Sequence, residues 1–155
     1  MSFNINRINT GEWFLFQDSE VDPETGIITW FPVEQGSDEK VCFKQIDPDR
    51  MREIKDKYKG KKINTPMLNT LSKTMELVVT YEQTAEQEKG ERMEFWNEAI
   101  VDWNITDPAG NKIECSSENK YLLIKGDMRF LRFANRCLQL LSGMKQEDEK
   151  KQEKN

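Results

Sequence analysis

Apolar and polar positions along this chain follow two different periods. Between Glu12 and Ile46 the stretches EWFLFQ, IITWFPV and KVCFKQI are short and rich in aromatic and β-branched residues, and DPETG sits between the first two. This pattern predicts three strands in a small antiparallel meander, with Trp13, Leu15, Phe31 and Phe43 as candidates for its buried face and Pro32 at an edge or bulge. Further on, Met93, Trp96, Ala99, Ile100 and Trp103 recur at three- and four-residue spacing, which on a helix makes one buried stripe. The sequence DPAG at 107–110 then has the residues of a type I turn, and Ile113 and Cys115 alternate with polar neighbours as a short strand would.

The remaining elements are marked mostly by their ends. Asp47 suits an N-cap, Pro48 the first helical position and Gly60 the residue past the end, so a helix with Met51, Ile54 and Tyr58 on its apolar stripe is expected between them. Residues 61–74 have no clean period and contain Pro66, which breaks any helix and predicts loop with at most one strand. Met75, Leu77, Val79 and Tyr81 alternate as on a strand. Ser116 or Ser117 caps a short helix ending at Gly126. Asp127 then caps a closing helix ended by Gly143, whose apolar face is Phe130, Phe133, Ala134, Cys137, Leu138 and Leu141. The predicted fold class is α+β: an N-terminal antiparallel sheet packed with helices, and a helical C-terminal half. A single domain over residues 1–144 is expected, followed by a charged tail at 145–155 in which no residue is apolar.

Composition adds constraints. The chain has 155 residues, the size of one ordinary domain, with 33% charged residues and a net charge of −5, so no global field favours nucleic acid or an anionic membrane. No stretch approaches the length of a membrane span and no signal-peptide pattern opens the chain. Cys42, Cys115 and Cys137 form no CxxC pair, which fits a reducing, cytoplasmic setting better than a disulfide framework or a zinc site. Histidine is absent, which removes the commonest proton-transfer group and metal ligand.

The run DSEVDPETG resembles a calcium loop, but Pro23 stands where an EF-hand needs Gly and Thr29 where it needs Glu, so a solvated hairpin turn is expected. No phosphate-binding glycine motif occurs, and no cofactor is implied. Two basic clusters remain. KDKYKGKK at 55–62 is accounted for by a helix C-terminus. Arg129, Arg132 and Arg136, at three- and four-residue spacing beside the closing helix's apolar face, are candidate partner-binding residues, because interfaces enrich arginine.

The segment FWNEAIVDWNITDPAGNKIECSSENKYLL resembles a C-terminal pattern in small tail-assembly, chaperone-like proteins of long-tailed bacteriophages and prophages. There an apolar helix ends in tryptophan and is followed by a D-x-x-G turn, a short strand, a polar N-cap cluster and a final amphipathic helix. These parts correspond here to Ile100 to Trp103, Asp107 to Gly110, Ile113, Ser116 to Asn119, and Asp127 to Leu141. WFLF, VCFK and IDPDRMREI are similar in style to the N-terminal part of such proteins. The resemblance implies a non-enzymatic role in tail assembly in the bacterial host, through binding of phage tail or other virion proteins or of further copies of the chain. A structural neck or tail subunit is the alternative. A carboxylate-dependent metal enzyme, using Asp18, Glu20 and Asp22 or Glu91, Glu94 and Glu98, is a third reading.

Overall fold

The computed structural model describes residues 10–31 and 38–143; Pro32 and the segment 145–155 lie outside these. The fold is α+β. Its elements are β1 (Glu12–Leu15), β2 (Asp18–Val21), β3 (Ile28–Phe31), β4 (Lys40–Phe43), α1 (Pro48–Lys57), β5 (Lys61–Asn69), β6 (Thr74–Glu82), α2 (Ala85–Ala99), β7 (Ile100–Trp103), α3 (Ser117–Gly126) and α4 (Met128–Leu141). The chain divides into two compact units, Met1–Ile46 with Trp96–Asn155, and Asp47–Phe95.

The first unit is built on an antiparallel sheet of order β1-β4-β7. The expected continuous helix through Trp103 stops at Ala99, and Ile100 to Trp103 form β7 instead. Phe43 pairs with Ile100, Cys42 with Asp102 and Val41 with Trp103, so one extra residue, Val101, sits opposite the step from Cys42 to Phe43. An extra residue in one strand shifts the inward and outward alternation by one. Ile100 and Trp103 are three apart yet both face the core beside Phe43 and Val41, and all four are at most 1% exposed. The helical spacing of the sequence is thus a bulged strand, and tertiary pairing decides its conformation.

The three-strand meander expected near the N-terminus does not form. β1 pairs with β4, while β2, absent from the sequence expectation, pairs with β3 in a separate hairpin. The DPETG segment closes that hairpin, with the Gly26 N–H donating to Asp22 O at 2.8 Å and the Asp22 N–H donating to Ile27 O at 2.9 Å. Of the four residues expected inside, Phe43 is buried, whereas Trp13, Leu15 and Phe31 are exposed. The opposite face of β1 points inward: the Phe14 ring lies 6.1 Å from that of Phe43. Just past β1, Phe16 meets Phe133 edge to face at 5.1 Å.

α4 lies against β2, β4 and α3. Its N-cap Asp127 accepts from the N–H groups of Arg129 and Phe130, and its Phe130, Phe133, Ala134 and Cys137 complete the core. Ser116 caps α3. Between β7 and α3 the DPAG turn forms as expected, with Gly110 at φ +88° and its N–H donating to Asp107 O at 2.9 Å. The expected strand at Ile113 and Cys115 reduces to a single bridge between Thr106 and Lys112, followed by a bond from the Ile113 N–H to Ile105 O. The Ile113 carbonyl is used otherwise, accepting from Trp103 Nε1 at 2.8 Å.

In the second unit α1 starts as its sequence predicts. Asp47 accepts from the Asp49 N–H, Pro48 occupies the first turn and Ile54 is buried. Gly60 is not the helix terminator, because Tyr58 already caps α1; a Cβ at Gly60 would strike the Glu82 carbonyl, so the glycine is needed for close strand approach. The segment 61–74, expected as loop with at most one strand, is mostly the strand β5, paired with β6 from Lys61 opposite Glu82 to Asn69 opposite Thr74. Pro66 is tolerated because β5 is an edge strand. Asn69 Oδ1 accepts from the N–H groups of Leu71 and Ser72 and so makes the turn. α2 begins with a reciprocal cap in which Gln87 N–H donates to Thr84 Oγ1 and Thr84 N–H donates to Gln87 Oε1.

Trp103→Ala should cost about 3–5 kcal/mol, the usual loss for a buried large aromatic, while Trp13→Ala, at a 45% exposed position, should cost far less. Urea denaturation of both variants checks this, and equal midpoints would refute the assignment of the two faces.

Candidate functional site

The three arginines singled out by sequence do share one side of α4. They face the β2–β3 hairpin. Arg129 Nη1 donates to Asp18 Oδ2 at 3.0 Å, and its Nη2 lies 3.6 Å from Asp127. Arg132 Nε donates to Ser19 Oγ at 2.8 Å and its Nη2 to the Ser19 carbonyl at 3.1 Å. Arg136 Nη1 donates to Gln17 Oε1 at 3.0 Å, and its guanidinium lies 4.4 Å from the centre of the Trp30 ring. Ser19 and Trp30 are themselves a register pair across the hairpin. The row is therefore a clasp, each guanidinium holding a different part of one ribbon. Ser19 is the one buried residue of that ribbon, at 3% exposed, so Arg132 both fills and satisfies the polar site beneath it. Asp127 and then Asp18 raise the Arg129 pKa further, keeping it charged.

Several of the acids suggested as metal ligands have other work. Asp18 meets Arg129, and Asp22 accepts from the Glu24 N–H at 2.8 Å and the Thr25 N–H at 3.4 Å, which lowers its pKa. Among the described residues no three Asp, Glu or Cys side chains converge as a metal site would require. The cysteines are free, and burial pushes each thiol pKa up, away from the reactive thiolate.

A second cluster lies in the other unit, where Glu94, one of the acids suggested as metal ligands, meets Lys57 and Tyr58 of the basic run at 55–62, a pairing the sequence did not reveal. Glu94 Oε1 accepts from Tyr58 Oη at 2.6 Å and from Lys57 Nζ, and Arg50 Nη2 lies 3.6 Å from Oε2. Lys57 chiefly, and then Tyr58, lower the Glu94 pKa. Tyr58 reaches this position because Gly90 on α2 has no side chain: a Cβ there would collide with its ring. Gln83 Nε2 joins the Tyr58 carbonyl to Glu91 at 2.9 and 2.8 Å. The cluster ties α1, α2 and the end of β6 together; separately, Lys59 Nζ lies 4.1 Å from the Tyr81 ring centre. The basic run at 55–62 thus supplies ion-pair and ring partners within its own unit.

The third feature is apolar. Every residue of β6 is exposed. Met75, Leu77, Val79 and Tyr81 share one face, and register places Leu68, Pro66, Asn64 and Lys62 beside them on β5. Met75 and Leu77 are 65% and 70% exposed, and Leu71 at the turn is 96% exposed. Such a contiguous apolar surface marks an interaction site more often than a chance feature. Period two made the strand visible in the sequence; no local signal revealed that its apolar face is uncovered.

Two outcomes follow. Arg132→Ala should destabilise the chain by about 1–3 kcal/mol, because Ser19 loses its charged partner in a buried site, and thermal unfolding measures it. An unchanged transition would show that the clasp does not hold the hairpin. Glu94→Gln should lower stability at neutral pH and lose its effect in acid. A carboxylate with a lowered folded-state pKa contributes above its ordinary value of 4.5, and that contribution disappears as pH falls through the lowered one. Parallel denaturation of both proteins from pH 7 to acid tests this, and a constant difference across the range would contradict it.

Comparison of the chain with protein-family models, curated protein sequences and solved structures gives no match.

Proposed function

We propose that this chain is a non-enzymatic, protein-binding component of phage tail assembly, of the tail-assembly chaperone kind, acting in the bacterial host cell. It meets another virion protein through the apolar face of the β5–β6 hairpin. The observation that carries the binding reading is the exposure of Met75, Leu77, Val79 and Tyr81 on one face of a two-stranded ribbon. Polar groups of the fold point the same way by elimination, because Arg129, Arg132, Arg136 and Glu94 are engaged in holding the chain's own elements. The phage setting rests on the resemblance of the segment from Phe95 to Leu123.

Partner recognition by such a face draws on apolar burial, with the polar margin of Lys62 and Asn64 setting orientation. Leu77→Lys combined with Val79→Lys should abolish capture of tail proteins co-expressed with this chain, while leaving the unfolding midpoint nearly unchanged, since both positions are exposed. Equal recovery of tail proteins by this variant and by the unaltered chain would overturn the assignment. Presence of the chain in purified particles would favour the virion subunit over the assembly factor.

A further inference from the structure

The two outer edges of the β5–β6 ribbon differ. β5 carries Lys61, Lys62 and Pro66, and edge lysines and prolines are the devices by which sheets discourage pairing with another strand. β6, with the sequence TMELVVTYE, contains no proline, lysine, arginine or glycine, and its register with β5 runs from end to end without a shift. The ribbon is a two-stranded sheet, so among the described residues no strand lies beside the outer edge of β6.

We infer that β6 pairs antiparallel with β6 of a second copy across a two-fold axis at Val78, making one four-stranded sheet of order β5-β6-β6-β5. The sequence of β6 is self-complementary about that point. Leu77 falls opposite Val79 and Met75 opposite Tyr81, which are the aliphatic and aromatic cross-strand pairs that stabilise sheets, and Glu76 falls opposite Thr80. Moving the axis to Val79 would set Glu76 against Glu82, and moving it to Leu77 would leave Tyr81 and Glu82 beyond the partner strand. A half-residue shift would exchange the faces and place apolar against polar positions. The equivalent pairing of two β5 strands would put Pro66 opposite Asn64 at its centre, where the missing N–H costs a ladder bond. A two-fold contact of this kind closes on itself and leaves the β5 edges, with their lysines and proline, on the outside.

The inference deepens the binding reading, because pairing joins the Met75, Leu77, Val79 and Tyr81 faces of two copies into one platform, but its test needs no partner protein. Thr80 decides the charge at the new contact and lies on the other face from those four residues. Sedimentation equilibrium of the purified full chain should show a monomer–dimer equilibrium, with a dissociation constant on the order of 10 µM for a strand-sized contact. Thr80→Glu places a carboxylate opposite Glu76 of the other copy, twice by symmetry, and should weaken the dimer at least about tenfold; Thr80→Lys should preserve or strengthen it. Circular dichroism confirms that both variants fold. A chain that stays monomeric well above that concentration overturns the inference, and so does equal dimerisation of the two variants. Capture of tail proteins by the Thr80→Glu chain alongside a lost dimer would separate the partner face from the self-pairing edge.

Discussion

The first unit depends on one irregular pairing, the bulge between β4 and β7. Because Val101 is extra, Ile100 and Trp103 both turn toward the core, and Trp103 reaches Phe130 edge to face with ring centres 6.2 Å apart. Phe130 meets Phe133, which in turn meets Phe43 and Phe16, so the aromatic core is continuous from β7 through α4 to the end of β1. At one end of the pairing the Lys44 N–H donates to the Ala99 carbonyl at 2.9 Å; at the other the Lys40 N–H donates to Asn104 Oδ1 at 2.6 Å. Without the bulge, strand alternation would bury Ile100 and Asp102 together, and a carboxylate would stand where Trp103 now packs.

Capped and punctuated elements were legible in the sequence because their determinants are local. Asp47 with Pro48, Ser116, Asp127 and the DPAG turn each hydrogen-bond within a few residues of themselves. Where a segment's conformation is set by a distant strand, local pattern misleads. Ile100 to Trp103 has helical spacing and becomes a strand because β4 supplies ladder partners some sixty residues away. Residues 61–69 have no period because both faces of β5 meet solvent, so no burial imposed one on the sequence. β1 offered two alternating faces of similar hydrophobicity, Trp13 with Leu15 and Phe14 with Phe16, and only the position of Phe43 and Phe133 selects between them.

The candidate binding residues show the same division. That the three arginines share a side of α4 follows from spacing alone. What they touch does not, since Asp18 and Ser19 lie 111 and 113 residues from Arg129 and Arg132. A row of guanidinium groups suits an external acidic surface and an internal ribbon equally well, and chain topology brings the ribbon first. Glu94 and the run at 55–62 were visible separately, but their meeting was hidden for a related reason: the acid comes from α2 and the lysine and phenol from the end of α1, and the glycine that admits the Tyr58 ring appears in sequence only as a poor helix former.

Charge and apolarity are thus distributed against simple expectation. The charged groups most suggestive of a site are engaged inside their own units, while uncovered surface on the second unit is aliphatic and aromatic. A two-stranded ribbon standing alone is marginal in water, since each strand has one ladder partner and neither face excludes solvent. Anchorage at its base, by Gly60 against Glu82 and by Gln83 bonded to Tyr58, fixes where the ribbon starts but reaches none of the residues near Asn69 and Thr74. Toward that end the local polar bonds are those of Asn69 with the turn and with Glu76, and of Ser72 with Thr74. Strand addition and burial of the Met75 to Tyr81 face would supply the missing ladder and the missing apolar contact together. The outer half of the hairpin therefore gains most from association, which places binding energy and local order in the same residues.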